Sequence, residues 1–140
     1  MKKLLGIIGM VFLLFACGTT GKQHSAKQNL ANEERDTLSY EQRRKYNYFF
    51  LEAVRLKQKG EYDAAFELYK HCLDIYPGSA PALYEISQFY MVLGQEQKGE
   101  EALKKAVRSD ESNFWYKQTL AVYYQRKRDW AKAIAVYDDM

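Results

Sequence analysis

Residues 60–62, Gly60-Glu61-Tyr62, mark a pattern that returns twice further along the chain. Gly94-Gln95-Glu96 follow after 34 residues, and Arg128-Asp129-Trp130 follow after the same interval. Small residues keep this spacing at Ala65, Gly99 and Ala133. Large residues keep it at Tyr69, Leu103 and Tyr137. Such a period predicts one helical hairpin used repeatedly, because a single hairpin cannot bury its apolar face and has to stack on copies of itself.

The residues between these turns have the apolar spacing of amphipathic helices. Ser39 with Gln42 three residues later forms a capping-box pattern, and Gly60 supplies a turn that ends the first helix. Pro77 and Gly78 end the second helix. The pattern predicts helices over about 39–60, 62–75, 81–93, 97–107 and 114–127, with another from 130. No β-like alternation interrupts them, so the predicted fold class is all-α.

These repeating residues resemble tetratricopeptide repeats, a 34-residue helix-turn-helix unit. The predicted copies are 46–79, 80–113 and 114–140, the last one incomplete. Residues on the family's signature places include Phe49, Ala53, Leu56, Gly60, Tyr62, Ala65, Tyr69, Cys72, Pro77, Leu83, Ile86, Ser87, Tyr90, Gly94, Leu103, Ala106, Leu120, Ala121, Tyr124, Ala133 and Tyr137. The resemblance implies a right-handed α-solenoid whose first helices line a concave groove. We also expect residues 1–140 to be the N-terminal piece of a longer repeat protein.

Two departures from the family pattern carry structural expectations. Gly99 stands where alanine is customary, and a glycine inside a helix costs about 1 kcal/mol relative to alanine. Arg128 replaces the glycine of the third turn, which makes that turn less favourable. Both are expected to weaken the repeats locally. Gly99 is also one of the small residues that the repeat pattern is expected to use to let the two helices of a hairpin come close.

The first 16 residues have the pattern of an export signal. Lys2 and Lys3 precede an apolar run of 13 residues, 4–16, which is shorter than the roughly 20 residues of a membrane-spanning helix. The following segment, Leu14-Phe15-Ala16-Cys17, resembles a bacterial lipobox, although Phe15 is larger than the residue usual there. The resemblance implies a lipidated, triacylated Cys17 as the new N-terminus and hence a firm membrane anchor. The alternative is an ordinary secreted protein in which Cys17 has no such role.

The residues after Cys17 refine this expectation. In such lipoproteins an aspartate after the cysteine tends to mean retention at the inner membrane, and Gly18 stands there instead. The resemblance therefore implies an outer-membrane lipoprotein facing the periplasm. Polar residues up to about 38 indicate a flexible tether. The predicted organisation is a signal peptide over 1–16, the lipidated cysteine and tether over 17–38, and a repeat domain over 39–140.

Composition gives no indication of nucleic-acid binding or of catalysis. The formal charge is +3, and loss of Lys2 and Lys3 with the signal would leave 19 basic against 18 acidic side chains. His24 and His71 are far apart in sequence, and no spacing of Cys, His, Asp or Glu is typical of a metal site. There is no glycine-rich phosphate loop and no nucleophile-elbow pattern. We therefore expect no enzyme activity, no nucleic-acid partner, and no cofactor or metal apart from the lipid on Cys17.

The family geometry implies which side chains line the groove and hold a partner. They are Phe50, Val54, Tyr84, Gln88, Met91, Trp115, Gln118, Val122 and Gln125. Aromatic and amide groups in a groove suit both peptides and sugars. The leading hypothesis is a lipid-anchored scaffold of the cell envelope that holds a peptide segment of another envelope protein. The alternatives are a glycan-capture lipoprotein and the repeat spacer of a longer multidomain enzyme.

Overall fold

The computed structural model describes residues 38–140, which contain six helices and no strand. The helices are α1 (Tyr40–Gln58), α2 (Tyr62–Ile75), α3 (Ala80–Val92), α4 (Glu96–Ser109), α5 (Phe114–Arg126) and α6 (Trp130–Asp138). The all-α class predicted from the sequence is confirmed, and the helix ends differ from the sequence pattern by no more than about two residues, the usual uncertainty at helix ends.

The six helices form three hairpins that follow one another in series. The most extensive contacts pair α1 with α2, α3 with α4, and α5 with α6. Smaller contacts join α2 to α3 and α4 to α5, so each hairpin packs on the next. This is the arrangement of stacked repeats, in which the core continues from one unit to its neighbour.

The turn inside each hairpin uses one residue in the left-handed region. Gly60 has φ of +80° and Gly94 has φ of +71°. Arg128, the corresponding residue of the third hairpin, has φ of +60°. A side chain disfavours this conformation by roughly 1–2 kcal/mol, so the third turn keeps the shape of the other two at a cost.

Side chains satisfy the exposed N–H groups at several helix starts. At α1 the Gln42 N–H donates to Ser39 Oγ at 3.2 Å, and the Ser39 N–H donates to Gln42 Oε1 at 3.0 Å, which confirms the capping box. Ser79 caps α3 and also shares a hydrogen bond of 2.5 Å with the Tyr46 hydroxyl of α1. The start of α3 is thereby tied to the preceding hairpin.

Gly99 lies at a close contact between two helices. It is buried where α4 crosses α3, and a Cβ added there would lie 2.8 Å from Met91 Cγ and 3.2 Å from the Ser87 carbonyl oxygen. The expectation that a small residue at this place lets the two helices come close is therefore confirmed for Gly99. The groove residue Met91 occupies the space that alanine would need.

Two apolar clusters make up the core of the described residues. One cluster has Ala53, Leu56, Ala65, Tyr69, Ile86 and Ala102 at its centre. The other has Leu103, Leu120, Tyr124 and Ala133. No helix within residues 38–140 combines the length and the apolar character needed to cross a bilayer.

Candidate binding groove

A groove of about 330 Å³ runs between α3 and α5, the first helices of the second and third hairpins. We call it the α3–α5 groove. Its walls mix aromatic, aliphatic, amide and basic side chains, namely Tyr84, Gln88, Met91, Trp115, Gln118, Thr119, Val122, Tyr123 and Arg126. Concave sites of this size with a few polar groups are typical of ligand and peptide recognition.

The structure gathers six of the nine side chains assigned to the groove from the sequence. The six that line the α3–α5 groove are Tyr84, Gln88, Met91, Trp115, Gln118 and Val122. Phe50 and Val54 pack instead against the first core cluster. Gln125 is half-buried near the end of α5 and is not among the residues that line this groove.

Phe50 lies on α1, outside the two helices that form the α3–α5 groove, and it packs against two other rings. Its ring stacks on Tyr46 with centroids 5.7 Å apart and meets the Tyr69 ring edge-on at 5.6 Å. Such aromatic pairs add to the stability gained from burial. Phe50 therefore belongs to the packing of the first hairpin.

Tyr84 forms a rigid wall of the groove. Its ring stacks on Tyr116 with centroids 4.9 Å apart, and its hydroxyl lies 3.5 Å from Thr119 Oγ1. Thr119 in turn donates to the Trp115 carbonyl at 2.8 Å. Burial raises the pKa of the Tyr116 hydroxyl above its ordinary value. A wall held in this way loses little side-chain entropy when a partner binds.

Trp115 gives the groove an exposed aromatic surface. Its side chain is 70 % exposed at the start of α5, whereas Gln88 and Gln118 are half-buried on the facing walls. Gln88 also donates to Ser87 Oγ at 3.2 Å, which fixes the direction of its amide. The groove thus offers an apolar ring beside amide groups that can both donate and accept hydrogen bonds.

Three further lining residues were not identified from the sequence: Thr119, Tyr123 and Arg126. Trp115, Thr119, Val122 and Arg126 follow one another at intervals of four, three and four residues. Residues so spaced share one face of a helix, so this signal was present in the sequence. Arg126 adds a positive charge at one end of the groove.

The described residues hold no group of three or more His, Cys, Asp or Glu side chains that could bind a metal ion. His71 is exposed on α2, with its Nδ1 3.4 Å from an Asp74 carboxylate oxygen. Cys72 is buried, and burial raises the pKa of its thiol to about 11. Cys17 and His24 lie outside the described residues.

Paired helical hairpins stacked in series define the class of protein, and comparison with known families adds the kind of repeat. The model of the tetratricopeptide repeat family matches residues 56–123. Over these residues the chain is similar to tetratricopeptide repeats, which generally serve as scaffolds for protein–protein interaction and are typically non-catalytic. A search among curated proteins found no match to the chain.

Proposed function

We propose that this protein is a lipid-anchored scaffold of the bacterial cell envelope that binds a segment of another envelope protein in the α3–α5 groove. The similarity to tetratricopeptide repeats supplies the general role, and residues 1–17 supply the proposed address. The anchor would be a lipid on Cys17 in the outer membrane, with the repeats facing the periplasm. Such an anchor would hold the groove close to partners at the same membrane.

One observation carries the proposal for the groove. Exposed Trp115, the oriented amide of Gln88 and the fixed ring of Tyr84 line the same concave surface. A peptide needs an apolar contact for a side chain and hydrogen-bonding groups for its backbone, and this surface offers both. Aromatic anchors of this kind commonly contribute most of the binding energy of an interface.

The test for the groove compares two exposed tryptophans. Trp115 lies in the groove and is 70 % exposed, whereas Trp130 lies at the start of α6 and is 59 % exposed. We expect Trp115→Ala to lose a stoichiometric protein partner recovered from crosslinked envelopes, and Trp130→Ala to keep it. Equal recovery by both variants would refute the role of the groove.

A second candidate function is glycan capture. The exposed ring of Trp115 next to the amides of Gln88 and Gln118 also suits a sugar, which stacks on an aromatic face and hydrogen-bonds through its hydroxyls. Retention of the protein on immobilised polysaccharide, lost in Trp115→Ala and without any protein partner, would favour this candidate over the scaffold.

The proposed anchor has a separate test. Cells grown with labelled palmitate should incorporate label into the wild-type protein and not into Cys17→Ala. The protein should also sediment with outer membranes only when Cys17 is present. Absence of label from the wild type would rule out lipidation while leaving the groove proposal intact.

A further inference from the structure

A second cavity lies on the seam between the first and second hairpins. It has a volume of about 450 Å³ and lies between the start of α2 and the end of α3. We call it the α2–α3 seam pocket. Five of its nine lining residues are aromatic or aliphatic: Tyr62, Phe66, Phe89, Val92 and Leu93. Gln88 lines both this pocket and the α3–α5 groove, so the two sites are neighbours along α3.

The apolar rim of this pocket is open to solvent. Val92 is 87 % exposed, Tyr62 is 59 % exposed and Leu93 is 56 % exposed. Beneath them the rings of Phe66 and Phe89 lie with centroids 5.5 Å apart. Apolar side chains clustered at a concave surface favour burial by a partner, because each one gains free energy when it leaves water.

The next seam along the chain provides an internal comparison. Thirty-four residues on, the positions of Tyr62, Phe66, Phe89, Val92 and Leu93 are occupied by Glu96, Glu100, Tyr123, Arg126 and Lys127. Polar interactions bridge this second seam. Lys127 forms an ion pair with Glu96, and the hydroxyls of Tyr123 and Tyr124 donate to Glu100 at 3.3 and 3.0 Å. The repeat therefore does not require apolar side chains at these positions. Phe66 and Phe89 also pack against the first core cluster, whereas the exposed side chains of Tyr62, Val92 and Leu93 serve no such packing.

The charges around the seam pocket favour one kind of occupant. Lys57 Nζ lies 2.6 Å from a Glu85 carboxylate oxygen, so those two charges offset each other inside the pocket. Asp63 lies on the rim and is exposed, and no ion pair joins it to a cation anywhere in residues 38–140. A fatty acid would bring its own carboxylate towards Asp63, whereas a basic side chain would be attracted to it.

We propose that the α2–α3 seam pocket binds an apolar side chain of a protein segment that also carries a lysine or arginine placed to reach Asp63. The ring pair of Phe66 and Phe89 receives the apolar anchor, and Val92 covers it from the rim. This site goes beyond the proposed function, because it is a separate docking point with its own chemistry. Its neighbour, the α3–α5 groove, is lined by a basic Arg126 and has no acidic side chain among its lining residues.

The second seam also supplies variants that the fold already tolerates. Val92→Arg and Asp63→Gln introduce the residues that stand 34 positions later, Arg126 and Gln97. Both altered positions are exposed, so the core is not disturbed. Far-UV circular dichroism and the unfolding midpoint should match those of the wild type.

The experiment is a selection from a phage-displayed library of random dodecapeptides on the full chain, with counter-selection on Val92→Arg. We expect the surviving peptides to share an aromatic or leucine residue near a lysine or arginine. Measured by fluorescence anisotropy, the affinity of these peptides should fall by about tenfold or more in Val92→Arg, as it does when a buried apolar contact is lost. Asp63→Gln should weaken them by about two- to fivefold, the usual effect of one exposed ion pair.

Controls separate this proposal from that for the groove. Changing the basic residue of a selected peptide to alanine should lower its affinity as much as Asp63→Gln does. Combining the two changes should lower the affinity no further. Trp115→Ala should leave the affinity of these peptides unchanged. The proposal for the seam pocket and the proposal for the groove can therefore be refuted independently. A selection that leaves no peptide after the counter-selection, or one whose surviving peptides are enriched in acidic residues, would overturn the proposal. Binding of dodecanoate that Val92→Arg abolishes and Asp63→Gln strengthens would also overturn it, in favour of a lipid site.

Discussion

Arg128 shows how one residue adapts to a position shaped for another. The turns at Gly60 and Gly94 adopt positive φ without a side chain, and Arg128 adopts φ of +60° with one. The hydrogen bond from the Asp129 N–H to the Tyr124 carbonyl, 3.0 Å, matches those at the first two turns, so the hairpin geometry is retained. The packing of α5 on α6 therefore fixes the backbone conformation of the turn and holds Arg128 in a strained conformation.

Replacing Arg128 by glycine should accordingly stabilise the domain. We expect Arg128→Gly to raise the free energy of unfolding by about 0.5–1 kcal/mol, because relief of left-handed strain exceeds the extra entropy of glycine in the unfolded chain. Urea unfolding followed by circular dichroism measures the change. Gly94→Arg is the matched reverse variant and should destabilise. A loss of stability in Arg128→Gly would contradict this account of the turn.

Cys72 is predicted to be unreactive in the folded protein. Burial raises the pKa of its thiol to about 11, and the thiolate is the form that reacts with alkylating agents. At pH 8 only about 0.1 % of the folded protein would carry the thiolate, and this fraction rises as the pH approaches 11. Mass spectrometry of the Cys72 peptide after iodoacetamide treatment should show labelling only in denaturant. Rapid labelling of the native protein at pH 8 would mean that this helix crossing opens readily.

At the scale of elements, α6 is held by fewer buried side chains than the other helices of the described domain. Ala133 is its one buried residue, and Trp130 and Ile134 are more than half exposed. Lys117 of α5 compensates in part. Its side chain is 12 % exposed, and its Nζ lies 2.8 Å from the Asp139 carboxylate and donates to the Asp139 carbonyl at 2.6 Å. A cation at a helix C-terminus interacts favourably with the last carbonyls and the helix dipole.

Lys117→Met should therefore loosen α6 while keeping the apolar part of the side chain. We expect the free energy of unfolding to fall by about 1 kcal/mol and amide hydrogen exchange to become faster in α6, with exchange in α1–α4 unaffected. Lys105→Met, the same substitution at an exposed position on α4, serves as the control and should change neither quantity. Unchanged exchange in Lys117→Met would show that apolar contacts alone hold this helix.

The sequence predicted the helices well because their signals are local and repeated. Gly60, Gly94 and the cap at Ser39 each depend only on residues a few positions away, and the 34-residue period relates Gly60 to Gly94. Lys117 could not be predicted in the same way, since it stands at a signature position that Phe49 and Leu83 fill with apolar groups. Its role depends on Asp139, 22 residues away, and on the length of a flexible side chain.

At the scale of the whole molecule, the binding surfaces were likewise predictable only where they follow from the repeat itself and not from individual side-chain contacts. Six residues of the α3–α5 groove followed from the family geometry, because two first helices facing each other is a property of the repeat. Phe50 lies on α1, outside this groove, and its contacts with Tyr46 and Tyr69 depend on how three rings pack. The seam pocket was missed for a related reason. Equivalent positions in the two seams carry different side chains, and only the folded conformation shows that polar interactions close the second seam and leave the first one open.

The central claim is that the α3–α5 groove holds a protein segment, and site-specific photocrosslinking in intact cells tests it most directly. A photoreactive amino acid at Gln118, within the groove, should give a discrete crosslinked product with one protein. The same amino acid at Leu51, which is 68 % exposed on α1, should not give that product. A product from Leu51 and none from Gln118, or identical products from both, would contradict the account.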